Sequence, residues 1–498
     1  MRTLRYPSAT PALLPSASGI SVLQFSTFVI LLVLATSTVS AAVRTSAKSG
    51  RWRAGSTWIG GKVPSATDEV VIASNHQVEF DGPANHQDEC AKLTIQAGAM
   101  LYFSPSATSF QVGGNGPGVP GGIDVAGVLT VRAGVTVEID PDGNAAAEED
   151  GVTVRAGGEL RMLGTVIHQG QAATVVSDDN TSNIAFSDPA LSMGSQTAPY
   201  RVVWRSGQRK GRWYDIASFS QGVLSLDYRS RSNAERLGEP DYRTGLASVS
   251  GRTVTGSGTQ WTAATGDGSW WWCAADGIQR RVRIVRVISP TSLWLAKDYG
   301  PSACSFPSSY VLRDENQPSA AADSSERILP GDSYQVILPA TLRSRNGSDD
   351  NFDEQIFVRL ERGSTYLFWN ASFESLGKEA WKPSAGSGIR IVGFQGPASK
   401  GMINTVEIYR YGGDAAIEWE DSGNFDADWL FLHWAHPMVT RNEGHGVKIQ
   451  TTTPEGSADN VRIRNARFDR TNDDFVWWNT PCGGTSGVYD SIGKYCPN

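Results

Sequence analysis

Apolar and polar residues alternate along short stretches of this chain, and the stretches repeat. Leu93-Thr94-Ile95-Gln96-Ala97-Gly98 places its apolar side chains two residues apart and ends on Ala-Gly. The same wording returns as Leu129-Thr130-Val131-Arg132-Ala133-Gly134 and as Val152-Thr153-Val154-Arg155-Ala156-Gly157. A period of two belongs to a β-strand with one buried face, and Ala-Gly supplies a turn. Strands this short bury too little to stand by themselves. The pattern therefore predicts coils stacked on one another, each covering its neighbour. Uneven spacing between the copies predicts loops of variable length leaving the stack, among them the Gly/Pro-rich segment from Gly113 to Gly122.

Upstream of these copies, Trp52 and Trp58 lie among glycines and before Pro64. Asp68-Glu69 then leads into Val70-Val71-Ile72, followed by Val78 and Phe80. This predicts an aromatic-capped loop feeding a first strand, with the tryptophans closing the exposed end of a solenoid.

The pattern changes from Gly245 to Asp314. Short strand-like runs separated by Gly, Ser-Pro and Asp-Gly turns predict five or six strands in a small barrel or sandwich. The Thr255-Gly256-Ser257-Gly258-Thr259-x-Trp261 and Ser292-Leu293-Trp294-Leu295 wording resembles a small β-module of phage-tail and secreted proteins. A polar Ala/Ser-rich linker follows. In the last third, Tyr366 to Phe373 is echoed by Val461 to Phe468, with strand-like runs at Thr405–Tyr409 and Trp429–Trp434 between them. Further coils are expected here, with Asn370 and Asn465 at equivalent turn positions in the left-handed region that asparagine tolerates.

Composition narrows the setting. The 498 residues include 53 glycines and only 19% charged residues, without a long amphipathic helical pattern, which fits an all-β chain. A formal net charge of -7 offers no basic face for nucleic acid. Arg2 and Arg5, an apolar core from Phe25 to Ala35 and the small residues Val39-Ser40-Ala41 read as a signal peptide over 1–41. The competing reading is a retained signal-anchor, the one circumstance in which a membrane is a partner. The expected location is therefore secreted or extracellular, or else the cell surface through that anchor. Five cysteines suit an oxidising compartment; the expected pairs are Cys273 with Cys304 and Cys482 with Cys496, leaving Cys90 as a buried thiol. Sequons stand at Asn180, Asn346 and Asn370, the last silent if that residue faces inward.

The opening Trp-x-x-Gly-x-x-Trp-x-Gly-Gly-x-Val-Pro of Trp52 to Pro64, the Asp-x-Val-x-Ile run and the Leu-Thr-x-x-Ala-Gly turns resemble the G8 domain. That domain is found in fibrocystin-like receptors and extracellular hyaluronan-depolymerising proteins. Gly60, Gly61, Gly98, Gly127, Gly134, Gly157 and Gly164 match its glycines, and the likeness covers about residues 50 to 210. The last third is similar to the β-helix that follows G8 in those proteins, at Phe373 to Lys378, at Gly444-His445-Gly446 and at Asp474 to Pro481. Two stretches depart. The hyaluronan-acting members carry a Tyr-Pro-x-His-x-His run where Gly388 to Phe394 has no histidine, and an acidic Glu-Asp-Gly where Val447-Lys448-Ile449-Gln450 stands.

Together these readings imply an all-β, right-handed parallel β-helix of the pectin-lyase-like solenoid type, with an N-terminal G8 domain and a small inserted barrel or sandwich. The expected boundaries are G8 coils over 42–210, connecting β coils over 211–244, the small module over 245–314, a linker over 315–330 and a C-terminal parallel β-helix over 331–498. The implied function is glycan or matrix recognition outside the cell, with an extracellular polysaccharide or glycoprotein as partner. A glycoside hydrolase or polysaccharide lyase is the alternative, and a structural surface scaffold a third.

Candidate chemistry lies near the C-terminus. His445 with Glu443 would pair an acid/base group with its orienter, while the plain reading is a histidine packed in a tight turn. Asp473 and Asp474 offer carboxylates to a groove, though adjacent strand residues face opposite ways, and the plain reading is a turn. Trp434, Trp477 and Trp478 offer flat faces to sugar rings, against plain core packing. His433 and His436 lack a convincing set of further zinc ligands. No cofactor is required on this reading; calcium is a candidate ligand of the acidic run Glu418 to Asp428, which otherwise reads as a solvated loop.

Overall fold

A computed structural model describes residues 42–82, 89–113, 121–140, 151–178, 184–193, 199–228, 246–250, 253–257, 270–275, 278–295, 308–313, 326–345, 356–377, 387–393, 401–421, 426–435, 445–451, 461–469, 476–479 and 487–489. Among the described residues there is no α-helix; strands fill the structure, with two short 3-10 turns at Gly55–Thr57 and Ile59–Gly61. Residues 1–41, the expected signal peptide, lie outside the described residues, as do Cys304, Cys482, Cys496, Asn180 and Asn346. For Cys273 only the backbone, in the strand Trp270–Ala275, is described.

Two long parallel sheets dominate. The first runs Val43–Thr45, Glu69–Ile72, Lys92–Ile95, Gly122–Val125, Gly151–Val154, Phe357–Leu360, Ile389–Val392, Ala415–Glu420, His445–Gln450 and Val476–Asn479. The second takes the next strand of each pair, from Gly50–Arg51 and Gln77–Phe80 to Arg462–Arg464 and Gly487–Tyr489. Strands along these two paths alternate between the sheets, while Ser109–Val112, Thr136–Ile139, Ala340–Ser344 and Arg467–Asp469 join the second sheet off its main path, and like residues stack in register. Val70, Leu93, Ile123, Val152, Val358, Ile389, Ile417 and Val447 form one buried ladder of the first sheet. The intervening residues face outward, as the period of two requires.

The turns follow the same economy. Gly98, Gly134 and Gly157, which close the three sequence copies, all take positive φ (76°, 76° and 80°). The copies are nevertheless not equivalent in space. Those at Leu93 and Val152 lie in the first sheet, whereas Leu129 lies in the second, stacked between Leu101 and Leu160. The aromatic stretch at the start forms the expected plug. Trp52 and Trp58 are buried and pack with Phe80, Phe103 and Phe110 in edge-to-face contacts.

The parallel stack is interrupted in sequence but not in space. After Leu163 the chain leaves the two sheets; it rejoins the second at Ala340–Ser344. Leu163 pairs directly with Trp369, and Gly164 N–H donates to the Trp369 carbonyl at 2.7 Å. The early coils and the last third are therefore one continuous stack.

The excursion holds two other units. Thr165–Gln171, Thr174–Asp178, Ile184–Ser187, Arg201–Trp204, Trp213–Ser220, Val223–Tyr228 and Ser333–Leu338 form a seven-stranded antiparallel sheet. This corrects the expectation of coils over 165–228. Its strands pair as neighbours around Phe186, Trp204, Tyr214, Leu224 and Tyr334, a core of their own. Its other face carries Val203, Trp213 and Ile337, packed on Phe431 of the second parallel sheet. Six strands from Leu246–Ser250 to Ser308–Arg313 close into a barrel. The segment expected to be a linker ends in Glu326 and the buried Ile328, tied to the antiparallel sheet.

Candidate functional site

On the first parallel sheet, two of the residues expected to carry chemistry near the C-terminus, His445 and Trp477, come together. His445 opens the strand His445–Gln450 and is buried. Its ring stacks on Trp477, one strand further along, with centroids 5.5 Å apart and planes 14° from parallel. Trp477 is partly exposed and stands in register with Lys448, whose ammonium lies 5.1 Å from the indole centroid. The same ammonium is ion-paired with Asp414, a buried carboxylate at the start of the preceding coil. The Asp414 carbonyl in turn accepts from His445 N–H at 3.0 Å.

Below this group the ladder continues through Glu418 and Arg390. Glu418 is 1% exposed. Its two oxygens accept from Ser387 Oγ at 2.7 Å and Gln450 Nε2 at 2.6 Å, and Arg390 stands 3.7 Å away. Burial pushes the Glu418 carboxyl above the ordinary glutamate range, with the Asp414 charge adding to it; Ser387, Arg390 and Lys448 pull the other way. Arg390 also holds Glu420 through Nε at 3.1 Å and through Nη2.

These positions correct the reading of Glu418 to Asp428 as a solvated loop. Ala415–Glu420 is a strand buried along its whole length, with Trp419 in the core between two outward glutamates. Calcium finds no evident cage in its described part. Glu418 and Glu420 are held by Ser387, Gln450 and Arg390, and Asp426 by Arg462 and Arg464. Among the described residues no group of three or more His, Cys, Asp and Glu is placed to hold a metal ion.

The remaining candidates separate. Glu443, Asp473 and Asp474 lie outside the described residues. Trp434 and Trp478 are described by their backbone, Trp434 in Asp426–Ala435 of the second sheet and Trp478 in register with the core residue Ile449. His433 belongs to the second sheet, not to the sheet of His445. It is buried there, stacked on Tyr409 with planes 4° apart and on Phe431. His436 lies outside the described residues.

Sequence reasoning passed over Asp414, Arg390 and Lys448. The signal was present: Ala-Ile-Glu-Trp-Glu and Val-Lys-Ile-Gln alternate, which puts Glu418, Glu420, Lys448 and Gln450 on one outward face. What could not be read was the register that sets Arg390, Glu418 and Lys448 side by side. In that register Ile389–Val392 and His445–Gln450 flank Ala415–Glu420.

Chemically, the face presents one accessible indole backed by a stacked imidazole and bordered by a lysine–aspartate pair. Its buried carboxyl is already engaged on both oxygens. No protein-family model matches the chain, and no curated protein is found to be similar to it.

Proposed function

We propose that this chain is a secreted protein of the G8 type whose two parallel sheets are walls of a right-handed, pectin-lyase-like β-helix, and that it binds extracellular polysaccharide or glycoprotein without cleaving it. The barrel is a module carried on the helix. The observation that carries this reading is the Trp477 platform. A partly exposed indole held flat by His445, with Lys448 and Asp414 at its border, offers an apolar face and adjacent polar groups to a sugar ring. A hydrolase needs a carboxylic acid within reach of the glycosidic oxygen. Glu418 has the raised proton affinity of such an acid, but it is buried and its oxygens are committed to Ser387 and Gln450. His445 is packed beneath the indole.

The test is to incubate the purified secreted protein with a polysaccharide panel, following both retention and chain length. Retention that weakens in Trp477→Ala, without shortening of any polymer, is the expected result. Shortening that disappears in His445→Ala would sink the binding-only reading in favour of the enzyme. Absence of retention on every polymer would leave a structural scaffold.

A further inference from the structure

The outward face of the second parallel sheet carries a different group of residues, far along the chain from the Trp477 strand. Trp369 ends the straight first part of the strand Thr365–Leu376 and is 42% exposed. Leu163 and Asn404 flank it in register on the neighbouring strands, and Asp428 and Arg464 continue the row. A parallel row beside it runs Leu367, Met402, Asp426 and Arg462, with Met402 46% exposed. Met402 and Asp426 are aligned because Ile403 pairs with Ala427.

One half of this strip is apolar and open; the other is polar and balanced in charge. Asp426 accepts from Arg462 at 2.9 Å and from Arg464 at 2.8 Å. Asp428 takes Asn465 Nδ2 on Oδ1 at 2.8 Å, and Asn404 Oδ1 takes the Thr405 hydroxyl at 2.9 Å. Arg464 Nε is buried without a hydrogen-bond partner among the described residues. The second oxygen of Asp428 and the amide nitrogen of Asn404 have no bond to another described residue either. The exposed Trp369 and Met402 adjoin the half-buried Leu163 and Leu367, and a contiguous apolar patch of this kind marks a binding surface. An indole with an amide, a carboxylate and a guanidinium at successive strand steps of about 4.8 Å matches a ring with one apolar face and hydroxyls around its edge.

We propose that Trp369, Asn404 and Asp428 form a second saccharide subsite, for a neutral pyranose. The sugar stacks on Trp369, and its hydroxyls bond to Asn404 and Asp428. Asp426 pairs with both Arg462 and Arg464, and Asp428 faces Arg205, so the cations of the strip are met by its own carboxylates and do not select an acidic sugar. This rests on the glycan-binding reading above, but it concerns another sheet and other residues, so the two can fail separately.

The experiment is affinity electrophoresis of the full secreted chain in gels containing hydroxyethyl cellulose or galactomannan, with polygalacturonate as the charged comparison. The expected result is retardation by a neutral polymer, weakened about tenfold by Trp369→Ala. Trp369→Phe should recover most of it, and Asn404→Ala should weaken it, each with an unchanged unfolding midpoint. If Trp369→Ala and Asn404→Ala migrate as the parent does in a retarding gel while Trp477→Ala does not, the second subsite is overturned and the general reading stands. Retardation by polygalacturonate only would overturn the neutral class. No retardation in any gel would overturn both.

Discussion

Trp58 Nε1 donates to the Trp52 carbonyl at 2.6 Å, and the two indoles meet edge to face with centroids 5.1 Å apart. Trp52 also meets Phe80 and Phe110 edge-on, so one buried ring touches the loop, a strand of the second sheet and the strand Ser109–Val112. Removing it opens a cavity among Trp58, Phe80 and Phe110. Trp52→Ala should cost about 3–5 kcal/mol in chemical denaturation. Trp58→Phe should cost less, since it loses one hydrogen bond and part of a ring. Equal effects in the two variants would contradict a plug centred on Trp52.

The second sheet bends at a row of left-handed residues. Asn370, Thr405, Trp429 and Asn465 have φ of 48°, 56°, 58° and 49°, and the strand register aligns them on successive coils. Asn370 is buried, so its sequon is silent. Asparagine visits this region at little cost, whereas alanine pays about 1–2 kcal/mol for it. Asn370→Ala should therefore lose about that much in urea denaturation, Asn370→Gly less, and Asn370→Val more than either. A glycine variant no better than alanine would show that side-chain contacts, and not the bend, decide this position.

That pair of asparagines also shows how far the sequence reaches. The echo of Tyr366 to Phe373 in Val461 to Phe468 was enough to align Asn370 with Asn465 and to assign both to the left-handed region. The alternation at Leu93, Leu129 and Val152 was enough to find strands, inward residues and glycine turns. It could not assign strands to sheets, because both sheets of a coil use the same period, and so the second copy landed on a different wall. It also missed the antiparallel excursion at 165–228, since pairing direction leaves no mark on alternation. At the candidate site, His445 and Trp477 were legible as types. Their stacking, and the Asp414–Lys448 pair beside them, depended on cross-coil register that no single stretch encodes.

The antiparallel sheet is tied to the parallel stack by a carboxylate shared between two arginines. Glu326 Oε2 accepts from Arg212 Nε at 2.6 Å, and Oε1 accepts from Arg467 Nη2. Both guanidiniums are buried, and Arg467 reaches across to the Lys210 carbonyl at 3.2 Å. Burial alone would raise the Glu326 carboxyl, but Arg212 and Arg467 hold it below the ordinary glutamate range. A folded-state value below the unfolded one means that the stabilisation is complete above the unfolded value and is lost as pH falls through the folded one. Glu326→Gln, which removes the carboxylate charge that the buried Arg212 and Arg467 share, should cost about 3–5 kcal/mol at neutral pH. The gap between variant and parent should close in acid, and thermal unfolding across that range measures it.

Glu418 carries the opposite sign. Burial raises its carboxyl above the ordinary glutamate range, so the folded protein holds a proton that the unfolded chain releases first. Its contribution is complete below the unfolded value and is lost as pH rises through the raised folded value. Glu418→Gln removes that titration and keeps the shape of the group. Gln450 can still donate to the amide oxygen, as it now does to Oε1 at 2.6 Å, while the amide nitrogen facing Ser387 donates to its hydroxyl. The variant should therefore match the parent in mild acid and exceed it modestly towards neutral pH, giving a flatter profile of unfolding temperature against pH. A steeper profile would mean that Arg390 and Lys448 need the ionised form, and that the Arg390–Glu418–Lys448 row is held together by charge. If polysaccharide retention survives in Glu418→Gln together with this flattened profile, the carboxyl braces the face behind Trp477 and plays no acid/base part at it.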